Sequence, residues 1–189
     1  MSEFTNPAHK TRSFWPCFHE VARGCESALE IGCAEGNNLR ALGPLVSRKI
    51  GVELHREYVR QGDGIEFHVG DCRTILPGFE SKMVDLVLLI DVVEHLEKKD
   101  GWWLLSEAER LARRKILVWT PQGKMLQDSK HYDPTDRKWM PGLEHRSGWE
   151  KQDLESIGYD AATWPDYHRD YLTNKLTIPA MFAVKELRQ

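Results

Sequence analysis

Acidic residues stand at matching places near the ends of four apolar segments of this 189-residue chain. Glu30 and Glu53 fall at the ends of the first two segments, and Asp71 and Asp91 come just after the next two. Taken singly, such acids are often helix N-caps or solvated loop residues. Four carboxylates gathered in one place repel each other unless they bind a cationic or hydrogen-bond-donating group. The pattern therefore predicts a site for a ligand with hydroxyl, amine or ammonium groups.

The first of these segments runs into a glycine-containing turn, Gly32-Cys-Ala34-Glu-Gly36. A turn of this kind after a strand suggests a nucleotide, although the match to the dinucleotide-binding pattern is incomplete. A dinucleotide places its pyrophosphate on this turn, where Glu30 and Glu35 would bring negative charge close to two phosphates. S-adenosylmethionine carries hydroxyls, an exocyclic amine, an ammonium and a sulfonium but no phosphate, so it fits the acids without conflict.

Two histidines are candidate catalytic residues. Transfer of a methyl group to oxygen or nitrogen can require a base with a pKa near neutrality, and histidine is the usual choice. His95 follows the fourth apolar segment, and His145 ends a long polar stretch. The structural alternatives are packing at a helix start for His95 and loop hydrogen bonding for His145. His131 and Tyr132, within the polar stretch, are further candidates.

The apolar pattern alternates between strands and helices, which predicts an α/β fold with a doubly wound, mostly parallel sheet and helices on both faces. Ligands of such sheets bind beyond the carboxyl ends of the strands, which is where the acids fall. The predicted strands cover residues 27–31, 49–53, 65–69, 84–90, 115–120, 159–164 and 178–186. The predicted helices cover residues 14–21, 37–45, 55–61, 98–113 and 149–157, with a short one closed by Pro77-Gly78.

The length predicts a single domain. Its parts are expected to be an N-terminal substrate-cap segment (1–24), a cofactor-binding half (25–121), a lid or substrate loop (122–148) and the C-terminal half of the sheet (149–189). The loop is assigned a function because a connector of that length without periodicity is unusual.

Two other groups of side chains have both a structural and a functional interpretation. Trp15, Trp139 and Trp149 can contact substrate or belong to the core. The cations at the end of the predicted helix 98–113 can form a nucleic-acid patch, but we expect them to stabilise the negative end of the helix dipole.

The composition also limits the kinds of molecule that we expect the protein to bind. The net charge is −3, which disfavours nucleic acid because binding to phosphates needs a clustered positive field. The longest apolar run is far shorter than the roughly 20 residues of a membrane span. The four cysteines form no C-x-x-C pair, which is typical of a reduced, cytoplasmic protein. We expect a small-molecule acceptor and no membrane partner; the oligomeric state is left open.

Several segments together resemble the class I S-adenosylmethionine-dependent methyltransferases. Leu29 to Gly36 is similar to their first motif, Val52-Glu53 to the ribose-binding segment, and Val69 to Asp71 to the adenine-contacting segment. Leu89 to Leu96 resembles the segment after strand four in the ubiquinone-biosynthesis subset. Trp119 to Pro121, His145 to Trp149 and Asp153-Leu154 resemble later parts of the same subset, so the resemblance extends over about residues 27–186.

The resemblance implies roles for individual residues. Glu30 would orient the methionine ammonium of the cofactor, directly or through water, and Glu53 would accept from both ribose hydroxyls. Asp71 would accept from the adenine amine, Cys72 would offer its backbone N–H to the ring, and Asp91 would lie near the methionine end.

Gly32, Ala34 and Gly36 would let the backbone approach the cofactor, with Ala34 standing where the family usually has a glycine. The resemblance also implies a seven-stranded sheet whose last strand is antiparallel. The leading hypothesis is therefore S-adenosylmethionine-dependent transfer of a methyl group to an oxygen or nitrogen of a small molecule, without a metal ion.

Three alternatives stay open. Asp91, Glu94, His95 and His145 resemble the metal-binding set of some relatives, namely small-RNA 3′-end and quinone-precursor methyltransferases, so metal-assisted methylation of an RNA or quinone-precursor hydroxyl is one. The others are a nicotinamide-dependent oxidoreductase and a non-catalytic protein that binds S-adenosylmethionine.

Overall fold

A seven-stranded sheet organises the molecule in the computed structural model, which describes residues 14–127, 141–169 and 175–187. The strands are β1 (Ser27–Ile31), β2 (Arg48–Glu53), β3 (Ile65–Val69), β4 (Val84–Ile90), β5 (Ala112–Pro121), β6 (Asp160–Arg169) and β7 (Leu176–Glu186). The helices are α1 (Phe14–Ala22), α2 (Asn37–Ala41), α3 (Cys72–Ile75), α4 (Lys98–Leu111) and α5 (Lys151–Glu155). Short 3₁₀ turns cover Gly43–Leu45, Leu76–Gly78 and Val93–His95.

The strand order is β3-β2-β1-β4-β5-β7-β6. Strands β1 to β5 pair in parallel, whereas β7 is antiparallel to both β5 and β6. The prediction of a mostly parallel seven-stranded sheet with an antiparallel last strand is confirmed. The order reverses between β1 and β4, and a crevice at such a switch point is where open α/β sheets bind ligands.

Apolar residues cover both faces of the sheet, as the predicted architecture requires. On one face α1 packs Phe18 and Val21 against Leu86 and Leu88 of β4. On the other face α4 and α5 pack against the alternate side chains of β4, which include Val87. All seven residues of β4 are buried, which explains its continuous apolar sequence. Among the described helices, none has the length and apolar composition needed to cross a bilayer.

The predicted helix over residues 55–61 is wrong. The chain there forms a turn followed by an irregular segment. Its sequence has only Tyr58 and Val59 as large apolar residues, which is too little for an amphipathic face. Immediately afterwards Gly62, Asp63 and Gly64 all have positive φ angles, so a helix could not continue into β3.

The predicted end of the long helix is also wrong. Helix α4 ends at Leu111, and the next residues already belong to β5. Arg113 binds the Asp85 carboxylate at 2.9 Å, and Arg114 and Lys115 donate to backbone carbonyls at the end of α1 and just after it. These cations therefore join β5 to β4 and α1, and they do not compensate the helix dipole. The division into cap segment, cofactor half, loop and C-terminal half stays a prediction.

Candidate functional site

A cavity of about 700 Å³ opens at the carboxyl ends of the parallel strands. The predicted site residues that line it are Gly32, Ala34, Glu53, Asp71, Cys72, Asp91 and His95. Glu30, Gly36 and His145 are not among the lining residues and lie behind this surface. The sheet thus brings residues from four separate strand ends to one place, as the sequence predicted.

The turn after β1 depends on left-handed backbone conformations. Gly32, Ala34 and Gly36 have φ angles of 75°, 46° and 84°. At Gly32 a Cβ atom would lie 2.8 Å from a methyl group of Val92, so glycine is also needed for close packing against the turn after β4. Alanine is accommodated at position 34 because its backbone N–H is anchored by the carboxylate described next.

Glu53 holds two turns in place. It is 5% exposed, and its two carboxylate oxygens accept hydrogen bonds from the backbone N–H groups of Ala34 at 2.8 Å and His55 at 2.9 Å. An ionised carboxylate has about four lone-pair positions. Glu53 therefore keeps capacity to accept from a ligand in the cavity while it fixes the shape of the wall.

Glu30 is fully buried beneath the turn. Its Oε1 accepts from the Asn38 side-chain amide at 2.6 Å, and its Oε2 has no partner among the described residues. Burial, with a smaller contribution from the charges of Glu53 and Asp91, raises the pKa of Glu30 to about 8. A buried carboxyl oxygen without a partner is costly, so this position is suited to pairing with a cationic group of a ligand.

Asp71 has the structural role that its sequence context suggested. It caps α3 by accepting from the backbone N–H of Arg73 at 2.9 Å, and it binds the Arg73 guanidinium at 2.6 Å. These hydrogen bonds lower the pKa of Asp71, which keeps it ionised at the cavity rim. Next to it, burial raises the pKa of the Cys72 thiol to about 11, so Cys72 is a neutral thiol.

The turn after β4 concentrates acidic groups. Asp91 is solvent-exposed and faces the open cavity, with a φ angle of 48°. Glu94 is 2% exposed; its Oε2 accepts from the Thr120 hydroxyl at 2.9 Å, and its Oε1 has no partner among the described residues. Burial raises the pKa of the Glu94 carboxyl.

The two predicted catalytic histidines are neighbours. The rings of His95 and His145 lie 4.8 Å apart at an angle of 70°. In each ring Nδ1 contacts a backbone carbonyl, Glu144 O for His95 and Met125 O for His145. Because a carbonyl only accepts, these contacts place the proton on Nδ1 and leave Nε2 with a lone pair. Burial lowers both pKa values, that of His145 to about 3; only His95 lines the cavity.

A short segment, residues 145–149, holds the two histidines together. The backbone N–H groups of Arg146 and Ser147 donate to the Glu94 carbonyl at 2.8 and 3.1 Å, and the Ser147 hydroxyl donates to the Val93 carbonyl. The Trp149 indole N–H donates to Ser147 Oγ at 3.0 Å. This segment therefore fixes His145 against the turn after β4, although the two lie far apart in sequence.

Trp149 anchors that segment by packing on the α4 backbone. It is fully buried, and Lys98 Nζ lies 3.7 Å from its ring centroid. A Cβ atom at Gly101 would lie 2.4 Å from the indole ring, so only glycine fits there. Of the tryptophans predicted to contact substrate, Trp149 is core, Trp15 is exposed, and Trp139 lies outside the described residues, as do His131 and Tyr132.

We expect Gly101→Ala to destabilise the protein by about 1–3 kcal/mol, because overpacking costs that much and outweighs the helix propensity gained with alanine. Urea unfolding measures the effect. Gly78→Ala is the matched control, since a Cβ atom at Gly78 meets nothing within 4 Å, and it should leave stability nearly unchanged. Equal stability of the two variants would show that the contact between Trp149 and α4 is unimportant.

Three of the four residues predicted as metal ligands lie close together. Glu94, His95 and His145 each offer a ligand atom, and these atoms lie within 4.8 Å of one another, but Asp91 does not belong to the group. The unpartnered Glu94 Oε1 and the free imidazole nitrogens would suit a borderline transition-metal ion such as Zn²⁺ better than the oxygen-preferring Mg²⁺.

Sequence analysis missed other lining residues. They are, among others, Leu54, His55, Tyr58, Gln127, the segment Pro141 to Leu143, and Arg146. Most lie in irregular segments whose positions depend on distant contacts, and no periodic pattern indicates them. Gly142 illustrates this, since a Cβ atom there would lie 3.0 Å from Leu54.

Comparison with known proteins agrees with this geometry. Residues 29–118 match the family described as "Methyltransferase domain". No curated protein has a detectable sequence similarity to the chain. Many solved structures share the fold. The three described next all have low sequence identity to this chain.

A SAM dependent methyltransferase from Archaeoglobus fulgidus is 17% identical, with a TM-score of 0.65 over 95% of this chain and 97% of that one. The N-terminal domain of EvdMO1, solved with SAH and D-fucose, is 19% identical, with a TM-score of 0.62 over 92% of this chain and 81% of the other. The N-methyltransferase NodS from Bradyrhizobium japonicum is 15% identical, with a TM-score of 0.62 over 93% of each chain.

Proposed function

We propose that this chain, a class I S-adenosylmethionine-dependent methyltransferase by its fold and family match, transfers the methyl group to an oxygen or nitrogen atom of a small-molecule acceptor. One observation carries the proposal: a buried carboxyl, Glu30, with one unpartnered oxygen lies beneath a cavity whose rim carries Glu53, Asp71 and Asp91. Carboxylates at the rim, with a buried carboxyl that can release its proton to pair with a cation, suit the cationic, phosphate-free cofactor and oppose a pyrophosphate. The narrower ubiquinone-biosynthesis subset stays a prediction.

The proposed cofactor roles are those that the family resemblance implies, and the positions of the acids support them. Glu30 would pair with the methionine ammonium through its free oxygen, directly or through water, and Glu53 would accept from the ribose hydroxyls with its remaining lone pairs. Asp71 at the opposite rim would accept from the adenine amine, beside the backbone N–H of Cys72 in the first turn of α3. Asp91, after β4, would lie near the reacting end.

The reaction itself is an in-line displacement. A lone pair on the acceptor attacks the methyl carbon, the carbon–sulfur bond breaks, and its electron pair stays on sulfur, which becomes a neutral thioether. Alignment of the three atoms can supply about 7–11 kcal/mol of the barrier reduction. His95 would take the acceptor's proton on Nε2, and His145, packed against it, would hold its ring in position.

Calorimetry with S-adenosylmethionine and S-adenosylhomocysteine tests the cofactor assignment, and NAD is the negative control. A screen of small molecules with a labelled methyl donor then tests the acceptor class. Binding of NAD alone would revive the oxidoreductase alternative. Cofactor binding without transfer to any acceptor would favour the non-catalytic alternative.

Cofactor affinity should depend on pH through Glu30. Below a pKa of about 8 the free carboxyl holds a proton that it must release to pair with the ammonium. The affinity for S-adenosylhomocysteine should therefore rise between pH 6 and pH 8, by up to about tenfold per pH unit. Glu30→Gln should flatten this dependence, and calorimetry in buffers of different ionisation enthalpy should show the proton release. A flat profile in the unmodified protein would contradict the role given to Glu30.

Metal-assisted transfer is a second candidate, favoured by the convergence of Glu94, His95 and His145. It predicts that Zn²⁺ or Mn²⁺ binds in calorimetry at one equivalent and that His145→Ala removes this binding. It also predicts that a chelator abolishes turnover. If no ion binds and the chelator has no effect, the candidate is rejected and the metal-free reaction stands.

A further inference from the structure

An aromatic wall, formed by Phe14, Trp15, Trp119 and Tyr167, borders the reacting end of the site. The Trp119 ring lies 4.9 Å from Phe14 and 4.7 Å from Tyr167, in both cases edge to face. Phe14 in turn contacts Trp15 at 5.2 Å. The four rings thus form one chain of contacts that joins the start of α1 to the ends of β5 and β6, with Trp119 buried at its centre.

The wall begins where the cavity ends. The backbone N–H of Asp91 donates to the Trp119 carbonyl at 2.8 Å, so the wall and the cavity share the exit of β4 and β5. The Tyr167 ring contacts the Trp119 ring at 4.7 Å, so Tyr167 is connected to Asp91 through Trp119. A molecule lying on the wall would therefore be next to the predicted position of the donor's methyl group.

Packing in the protein core explains the position of only some of the rings in the aromatic wall. Trp119 is 2% exposed and helps to fix α1 on the sheet, whereas Trp15 and Tyr167 are each 45% exposed. The large exposed apolar side chains of the described residues include just two aromatic ones, and both belong to this wall. Exposed aromatic rings next to a polar reaction site favour planar rings as ligands, through edge-to-face or stacked contacts.

The charges around the wall restrict the ligand further. Asp91, whose backbone N–H binds the Trp119 carbonyl, lies beside it, and its carboxylate would repel an anion. A hydroxyl or amino group would instead be able to donate to Asp91. These features favour a neutral or cationic molecule over a carboxylate or phosphate.

We propose that the methyl acceptor is a planar aromatic molecule, neutral or cationic, whose hydroxyl or amino group lies at Asp91 while its ring rests on Tyr167 of the aromatic wall. The proposal rests on the proposed function, because it assigns the acceptor of the same site. It adds the acceptor's shape and charge, which the cofactor-binding residues do not determine.

Saturation-transfer NMR on the full chain saturated with S-adenosylhomocysteine tests the proposal. The probes are phenol, cyclohexanol and benzoate, which separate planarity from charge. Phenol should bind at least tenfold more tightly than either of the others. Tyr167→Ala should weaken phenol binding about tenfold, whereas Leu45→Ala, which removes an exposed apolar side chain outside the wall, should not change it.

Calorimetry of the same variants with S-adenosylhomocysteine separates the possible failures. Loss of cofactor binding in the unmodified protein would contradict the proposed function itself. Normal cofactor binding with no preference for phenol, or with a preference that survives Tyr167→Ala, would overturn the aromatic acceptor alone. A concentration-dependent dimer in sedimentation, lost in Trp15→Ala and Tyr167→Ala, would also overturn it, because the wall would then be a contact between two copies.

Discussion

Replacing His95 by glutamine is expected to lower turnover by about 10²- to 10⁴-fold, the usual contribution of a positioned general base. His95 is the histidine of the pair that lines the cavity, and the Glu144 carbonyl orients its ring. Cofactor affinity should change little, because His95 is assigned to the acceptor's proton. Turnover is measured with the acceptor found in the labelled-methyl screen, and cofactor affinity by calorimetry.

Two other histidines are the controls for this substitution. His145→Gln should reduce turnover by a smaller factor, since His145 acts through the ring of His95. His68→Gln should have no effect, because His68 pairs with Glu66 on β3, outside the cavity lining. Turnover of His95→Gln close to that of the unmodified protein would remove His95 from the mechanism. If His95→Gln and His145→Gln lower turnover equally, and both lose a bound metal ion, the metal-assisted reaction is favoured.

Glu53→Ala is the second substitution with a large expected effect. It should weaken S-adenosylhomocysteine binding by about 1–3 kcal/mol, the scale of hydrogen bonds to a charged group, which is roughly 5- to 150-fold. It also leaves the backbone N–H groups of Ala34 and His55 without their acceptor, so the free energy of unfolding should fall as well. Calorimetry and urea unfolding measure the two effects.

Glu53→Gln and Glu66→Ala are the control variants for Glu53→Ala. Glutamine keeps one acceptor oxygen, so it should retain more stability than alanine while losing the charge. Glu66 is an exposed acid outside the cavity lining, and its removal should leave both quantities unchanged. A folded Glu53→Ala variant that binds the cofactor as tightly as the unmodified protein would mean that the ribose lies elsewhere.

The strands with both faces buried were predictable from sequence. The boundaries of β1, β3 and β4 agree with the predicted ranges. β1 and β4 are buried along their whole length, and such runs end where a polar or glycine residue begins. β3 is an edge strand with only Ile65 buried, and it ends just before Gly70. The acids at the rim were predictable from the strand ends, since Glu53 is the last residue of β2 and Asp71 and Asp91 come just after β3 and β4.

Features that depend on distant contacts were not predictable. The start of β5 at Ala112 reflects the ion pair between Arg113 and Asp85, and local sequence favoured more helix. The contact between His95 and His145 depends on hydrogen bonds across about 50 positions of the chain. No pattern in the sequence around either residue indicates that Trp149 packs on Gly101.

The central claim is that carboxyl groups at the carboxyl end of the sheet select a phosphate-free, cationic nucleoside. A crystal structure with S-adenosylhomocysteine tests it most directly. We expect the amino group of that ligand to be hydrogen-bonded to Glu30 Oε2, directly or through one water molecule, and both ribose hydroxyls to lie at Glu53. An empty crevice at saturating ligand, or a pyrophosphate-containing cofactor in its place, would contradict the account.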